Sequence, residues 1–444
     1  MAKIIRFLAQ CIDESTGDVL EESIMSTEVL QKASTLQDLG YTHVKQIDFL
    51  QQIQDFKISR QIMLNAVDTC PNCASKAVKA GVFTSKFHAV LTDHKVALQR
   101  TSCKCGWYGN CSLDGMFGSN IHPDLLKKQA LQGSKESYKK SSQSLNAESA
   151  KKRSVNGHSQ ISRTVKLVGE KLEKANTIKK EIEESNSVPE LIANIDGGHI
   201  KALGANRSFE AMVAAIYQPT NLKKVDKNHN ALEVKTVVAS AKNDEQTTMK
   251  ALFRNACITE GMGKSTEVIC LADGADNCQS IAYSITEDCK KVTYILDWFH
   301  ISMKFQNIST PEEQKELLRS VKWNLWHGDC NKALERLNEL MEIETIAKNK
   351  SLSLKLSKLS TYISNNKDGI VNYEERKNKG LVFTSNLAES TVNTLINERQ
   401  KGKQKMLWSR EGAHNILQIR AAVRSNSWKD NWNQVQSSIY KMAA

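Results

Sequence analysis

The chain has 444 residues, 40% hydrophobic and 25% charged, which suits a folded protein with a sizeable core and is enough for roughly two to four domains. No apolar run reaches the ~18 residues of a membrane span, and the start lacks an apolar core followed by a small-residue cleavage site, so neither a membrane location nor secretion is expected. The formal net charge of +12 favours polyanionic partners, with nucleic acid the first suspect.

Residues 1–66 read as a polar, helical N-terminal region. Its best amphipathic stretch is "VLQKASTLQDLGYTHVKQIDFLQQI". Residues 67–121 then shift to Cys, Gly and β-branched residues. Cys70 and Cys73 form one close pair, and Cys103 and Cys105 another. Two such pairs on adjacent hairpin knuckles match the tetrahedral preference of one structural Zn²⁺. The intervening strands make the module zinc-ribbon-like. The second pair is Cys-x-Cys, so Cys111, His88 and His94 stand as alternative ligands. Cys257, Cys270, Cys278, Cys289 and Cys330 lie in apolar or helical stretches and read as buried free thiols, which fits a cytoplasmic protein.

Residues 122–190 turn helical and rich in Lys and Ser. A helix-turn-helix followed by a linker helix is expected, with Asn156-Gly157 as the turn and Ser159 as N-cap of the last helix. Ile161, Val165, Val168 and Leu172 would face inward. Ser162, Arg163, Thr164 and Lys166 would face outward, as residues that meet phosphates and base edges do. A plain helical linker with a basic solvated face is the alternative.

Residues 191–300 alternate strand and helix patterns. Strands are expected over 190–202, 209–219, 232–241, 265–275 and 291–300, with helices over 243–262 and 277–289. The order β-β-β-α-β-α-β gives a mixed sheet with helices on its faces, an α/β fold. In a ribonuclease H-like sheet the first strand is central and the fourth lies beside it. Asp196 and Asp273 then end neighbouring strands and can share a cation, while Asp297 lies one strand further out. The stretch "VICLADGADN" (268–277) admits two readings, since Asp-Gly is a common turn and a strand-end Asp is also a metal ligand. Residues 301–384 read as helical throughout. A core helix over 384–400 has Leu387, Ala388, Val392, Leu395 and Ile396 as its apolar stripe, with Glu389 at the edge. Three gathered carboxylates repel unless divalent cations relieve them. Two Mg²⁺ (or Mn²⁺) about 4 Å apart support in-line phosphoryl transfer. Residues 401–444 form a basic C-terminal helical region. Arg399 at the end of the core helix, with Lys401, Lys403, Lys405 and Arg410 after it, is expected to contact DNA phosphates, with Trp408 as anchor and Ser409 as cap; a solvated basic loop is the alternative.

The pieces "SYKKSSQSL", "IDGGHIKA", "LADGADN", "YILDWFHISMKF", "NLAESTVNTLINERQ" and "MLWSREGAHNILQIRAAV", together with the Cys-pair module, resemble bacterial insertion-sequence transposases of the DDE class. The likeness is to the Kra-type group, related to Mutator-like elements, and it covers most of residues 67–425. It implies a ribonuclease H-like core with an all-helical insertion over 301–384. It also implies a triad at Asp196, Asp273 and Glu389, with Asp297 and His300 as an auxiliary Asp-x-x-His pair. The approach "FTSNLAES" departs from the Gly/Val-rich one usual before the Glu. With the resemblance, a coordinating role for Asp273 becomes the stronger reading. The expected partner is double-stranded DNA, both element ends and target, bound by a homodimer or larger assembly. The rivals are a nuclease on the same fold without strand transfer and a DNA-binding regulator without catalysis.

Overall fold

The computed structural model describes residues 3–65, 67–204, 207–224, 230–232, 235–384, 391, 393–401 and 406–441. The chain forms two compact units, Met1–Lys171 with Asp430–Ala444, and Leu172–Lys429. No helix among the described residues is long and apolar enough to cross a membrane.

The first unit corrects the helical reading of the N-terminus. Residues 3–30 are an antiparallel hairpin of β1 (Lys3–Ile12) and β2 (Val19–Leu30). The loop between them suits a hairpin. The Asp13 carboxylate accepts from the Ser15 and Thr16 amides, and Gly17 takes φ +77°. Apolar and polar residues are mixed on both sides of the ribbon, which masks its two-residue period. The helical part begins only at α1 (His43–Leu64), capped by Thr42. Its Ile47 is buried, and it meets the hairpin through an edge-on contact of Phe7 with Phe49 and an Arg60–Glu21 ion pair.

A second hairpin follows, β3 (Val78–His88) with β4 (Asp93–Ser102). After a single helical turn at Leu113–Phe117 come three longer helices, α2 (Pro123–Lys135), α3 (Tyr138–Ala147) and α4 (His158–Thr177). Buried Arg153 ties the tip of the second hairpin to this helical region. Its guanidinium donates to the Ala89, Val90 and Thr92 carbonyls and pairs with Asp93.

The second unit is mixed α/β. Its five-stranded sheet contains β5 (Glu190–Lys201), β6 (Ser208–Tyr217), β7 (Thr236–Ser240), β8 (Glu267–Ala272) and β9 (Lys291–Leu296), in the order β9-β8-β5-β6-β7. The first three form an antiparallel meander, and β8 and β9 run parallel to β5. The strands read as near-continuous apolar runs because both faces are covered. On one face Leu191, Ala193 and Ile195 meet α5 (Thr247–Thr259) and α6 (Asp276–Ala282) through Met249, Phe253 and Ile281. On the other, Ile192, Ile269, Leu271 and Ile295 share a core with the helices that follow the sheet, through Ile301, Leu325, Leu337 and Leu356. Those helices include α7 (Trp298–Gln306), α8 (Lys315–Trp326), α9 (Cys330–Glu342) and α10 (Lys350–Asn365). The expected final strand stops four residues short of His300, because Asp297 caps α7. Cys257, Cys270, Cys278 and Cys289 are buried, as expected, whereas Cys330 is only half-buried.

Candidate functional sites

The two cysteine pairs converge at one end of the second hairpin. Cys70 and Cys73 sit in a loop closed by the Cys70 amide on the Ser75 carbonyl, with Ala74 at φ +57°. Cys103 and Cys105 sit in a matching loop closed by the Cys103 amide on the Trp107 carbonyl, with Gly106 at φ +91°. The Cys70 and Cys105 sulfurs are 3.6 Å apart, and those of Cys73 and Cys103 3.4 Å. Tetrahedral zinc with Zn–S bonds of ~2.3 Å sets sulfurs about 3.8 Å apart. All four ligand atoms lie within 4.8 Å of one another, so the cluster could hold a metal such as zinc. Hydrogen bonds from Ser75 hold the Cys73 thiol down at about 6. Cys105 is pushed up to about 12, since the lowering Trp107 amide is outweighed by the Cys70 and Cys73 thiols. The alternative imidazoles are engaged elsewhere. His88 Nδ1 lies 2.7 Å from Asp93, and buried His94 lies 2.6 Å from Asp55 and 2.7 Å from Thr92. Cys111 is not in the cluster.

A second group of side chains lies on three neighbouring strands, with Asp196 inside β5 and Asp273 and Asp297 just past the ends of β8 and β9. β5 and β8 pair with Asn194 opposite Leu271, and the same offset carried two residues on sets Asp196 opposite Asp273. β8 and β9 pair with Ala272 opposite Leu296, so Asp297 follows in the same row. Burial raises the Asp196 carboxyl to about 6, against the lowering effects of His300 and the Gly197 amide, while Asp273 and Asp297 push it further up. The Asp273 carboxylate accepts from the Ala275 amide at 2.9 Å, so it does shape the Asp-Gly turn. Gly274 takes φ +89°, and a Cβ there would lie 2.4 Å from Asn366 Oδ1. Two tyrosines fix this turn. Tyr294 Oη accepts from the Gly274 amide, and Tyr362 Oη donates to the Asp273 carbonyl.

Asp297 is fully buried, and both its oxygens are used. One accepts from the Phe299 amide as the cap of α7, and the other lies 2.8 Å from His300 Nδ1. The capping and pairing readings of this residue therefore coexist. Burial lowers the His300 pKa, but the Asp297 hydrogen bond and the charges of Asp297, Asp196 and Asp273 outweigh it, so the net shift is upward. Among the described residues the cysteines are the one group of three or more His, Cys, Asp or Glu side chains close enough to share an ion. Glu389 lies outside the described residues, as do Leu387, Ala388, Val392, Lys403 and Lys405.

Glu210 was missed in the sequence. Its carboxylate accepts from Asn277 at 2.8 Å, and a Cβ on Gly197 would lie 2.6 Å from it. Burial raises the Cys278 thiol, and the Asp273, Asp196 and Glu210 carboxylates push it further up. The available signal was one acid in the otherwise apolar run "FEAMVAAIY", with a glycine pair in the neighbouring strand to admit it.

The proposed DNA-facing residues divide. Arg163 and Lys166 are exposed on α4, with Lys166 3.8 Å from Glu170. Ile161, Val165, Val168 and Leu172 are buried as expected. Thr164 is a correction, because it is buried and its hydroxyl donates to Gln129 at 2.8 Å. α4 begins at His158, so Ser159 lies inside the helix and is not its cap. Ten residues separate α3 from α4, more than the three or four of a tight helix-turn-helix. Lys401 is exposed. Arg399 is a second correction. It is buried, with its guanidinium 4.8 Å over the Trp408 ring and Nη1 on Met406 Sδ, so packing rather than phosphate holds it. Arg410 stacks over Phe209 and donates to the Ala241 carbonyl. Trp408 is buried, and Ser409 caps α11 (Arg410–Arg424), as expected.

Residues 123–436 match the model of the uncharacterised protein family UPF0236. The chain belongs to this family. A search of curated proteins finds no match. The UPF0236 region begins at α2, so the N-terminal hairpin, α1 and the four cysteines precede it, whereas Asp196, Asp273, Asp297 and His300 fall within it.

Proposed function

We propose that this UPF0236 member is an insertion-sequence DNA transposase of the DDE class, with a ribonuclease H-like core and a zinc-ribbon module. The observation that carries the reading is the row of aspartates. Asp196, within β5, and Asp273, just past the end of β8, stand in register where these adjacent parallel strands part, and helices come between the sheet and the segment bearing Glu389 in the sequence. Asp196, Asp273 and Glu389 would hold Mg²⁺ or Mn²⁺, and the four cysteines Zn²⁺. Bound divalent ions supply an activated water and stabilise the leaving oxygen of a phosphodiester. The oxygen donors suit such hard ions. Burial makes an isolated Asp196 anion costly, so added positive charge favours its ionised form. His300, its pKa raised beside the aspartates, offsets part of their repulsion, and Asp297 orients its ring. Arg163, Lys166, Lys401, Lys403, Lys405 and Arg410 would contact the phosphates of double-stranded DNA.

The test is incubation of purified full-length protein with DNA carrying the element's ends, Mg²⁺ or Mn²⁺, and a target. Nicked ends and joined products are expected, and both should vanish in Asp196→Asn and Asp273→Asn proteins that still bind. Cutting without joining would instead indicate a nuclease. Binding without cutting would indicate a regulator.

A further inference from the structure

The N-terminal hairpin has one face covered by α1 and one face open. Phe7 meets Phe49 of the helix, and Ala9 and Cys11, which alternate onto the same side of the strand, are half-buried like it, while Met25 is buried. The other face carries five cross-strand layers, in which Ile4 pairs with Val29, Arg6 with Thr27, Leu8 with Ile24, Gln10 with Glu22, and Ile12 with Val19. The register shift beside Leu8 turns Met25 to the helix side and keeps Ile24 on the open side. Ile4, Leu8, Ile12, Val19, Ile24 and Val29 are 48–59% exposed. Six large apolar side chains half-exposed on one ribbon form a patch on the order of 500 Å², near the upper limit for an isolated monomer.

The order of the layers identifies the occupant. Apolar layers alternate with polar ones, and the centre is Leu8–Ile24. One polar layer holds the cation Arg6, and the other holds the anion Glu22, which accepts from Gln10 at 2.6 Å. A two-fold axis through the central layer, perpendicular to the strands and between two stacked faces, reverses the layer order. It sets apolar layers on apolar layers and each Arg6 layer on the partner's Gln10–Glu22 layer. The face is therefore complementary to itself in both shape class and charge. Isologous contacts between identical subunits require this property.

We infer that the open face of the N-terminal hairpin is a dimerisation surface that stacks on the same face of a second copy of this chain. The patch is close to the ~800 Å² per partner of a standard interface once flanking residues join it. The surface lies outside the UPF0236 match and does not depend on the proposed chemistry.

The experiment is sedimentation velocity of full-length protein, free of nucleic acid, over a concentration series, with circular dichroism confirming fold for each variant. The wild type should dimerise at low micromolar concentration. Leu8→Asp should raise the dimer dissociation constant at least ~30-fold. Arg6→Glu and Glu22→Arg should each weaken the dimer several-fold, because like charges then meet across the axis. The double exchange Arg6→Glu with Glu22→Arg should restore it to within about threefold of wild type. All these positions are solvent-exposed, so the fold should tolerate the changes. A monomeric wild type, a dimer indifferent to Leu8→Asp, or a double exchange no better than the single ones would overturn the inference.

Discussion

Asp196→Asn isolates the electrostatics of the aspartate row. The carboxyl is raised from an ordinary 3.8 to about 6, mainly by burial. The folded chain thus keeps a proton that the unfolded chain has released between about pH 4 and pH 6. Wild-type stability must fall as pH rises through that window, and above it the full cost of ionising Asp196 is present. Two units at ~1.4 kcal/mol each come to about 3 kcal/mol, and ~2–3 kcal/mol is a fair figure for a site that solvent partly reaches. Asn keeps the shape and can still accept from the Gly197 amide. In Mg²⁺-free buffer at pH 7.5 the variant should therefore be more stable by ~2–3 kcal/mol, or roughly 5–10 °C in the melting of the second unit. The gap should shrink toward pH 4.5. Chelators are to be avoided, because they would also remove the Zn²⁺ proposed for the cysteine cluster. Added Mg²⁺ should then stabilise the wild type and leave the variant unmoved. A variant no more stable than wild type at pH 7.5, or a gap independent of pH, would refute the reasoning.

Metal analysis should find about one zinc per chain, and Cys103→Ser should lose it and weaken the first unit while the second melts unchanged. Gly274→Ala should cost about 2–4 kcal/mol in denaturant unfolding, because φ +89° combines with a blocked Cβ position. Gly380→Ala, at φ +69° in open space, should cost only about 1 kcal/mol. Neutralising Lys401, Lys403 and Lys405 together should reduce the salt dependence of DNA binding by up to roughly 0.9 in slope per lost phosphate contact, with sequence preference unchanged. Arg420→Lys keeps the charge but loses the planar fork, and should cost about 1–3 kcal/mol by thermal or denaturant unfolding.

The sheet was legible because its strands are buried on both sides. Runs such as "ELIANI" and "VICLA" carry that burial as unbroken apolar residues, and the helices between them repeat at 3.6 residues. The row of Asp196, Asp273 and Asp297 was also legible, since each acid directly ends or interrupts such a run. The N-terminal hairpin was not. Its period lies in accessibility and not in hydrophobicity, because the open face is as apolar as the covered one. Glu210 was hidden for another reason. Its significance comes from Gly197 on the neighbouring strand, a diagonal neighbour that exists only once the register sets Glu210 opposite His199.

The arginines show a further limit, which bears on how the basic charge is used. In sequence Arg399 and Arg410 belong to one basic stretch with Lys401, Lys403 and Lys405, and Arg420 follows ten residues on. In the fold, Arg399 and Arg420 are buried, and both serve the segment after residue 391. Residues Asn393–Asn397 form a π turn, whose wider ladder shifts carbonyls away from their usual partners. Arg420 meets them. Its Nε donates to the Leu395 carbonyl at 2.9 Å, its Nη2 to the Thr394 carbonyl, and it also pairs with Glu398. One guanidinium can do this because its donors diverge in a plane, whereas an ammonium offers a single point of charge. Arg420, in the last turns of α11, is thus a clamp on residues 394–398. Part of the +12 charge is structural. Of the cations in the proposed DNA contact, Arg163, Lys166, Lys401 and Arg410 are the exposed ones among the described residues.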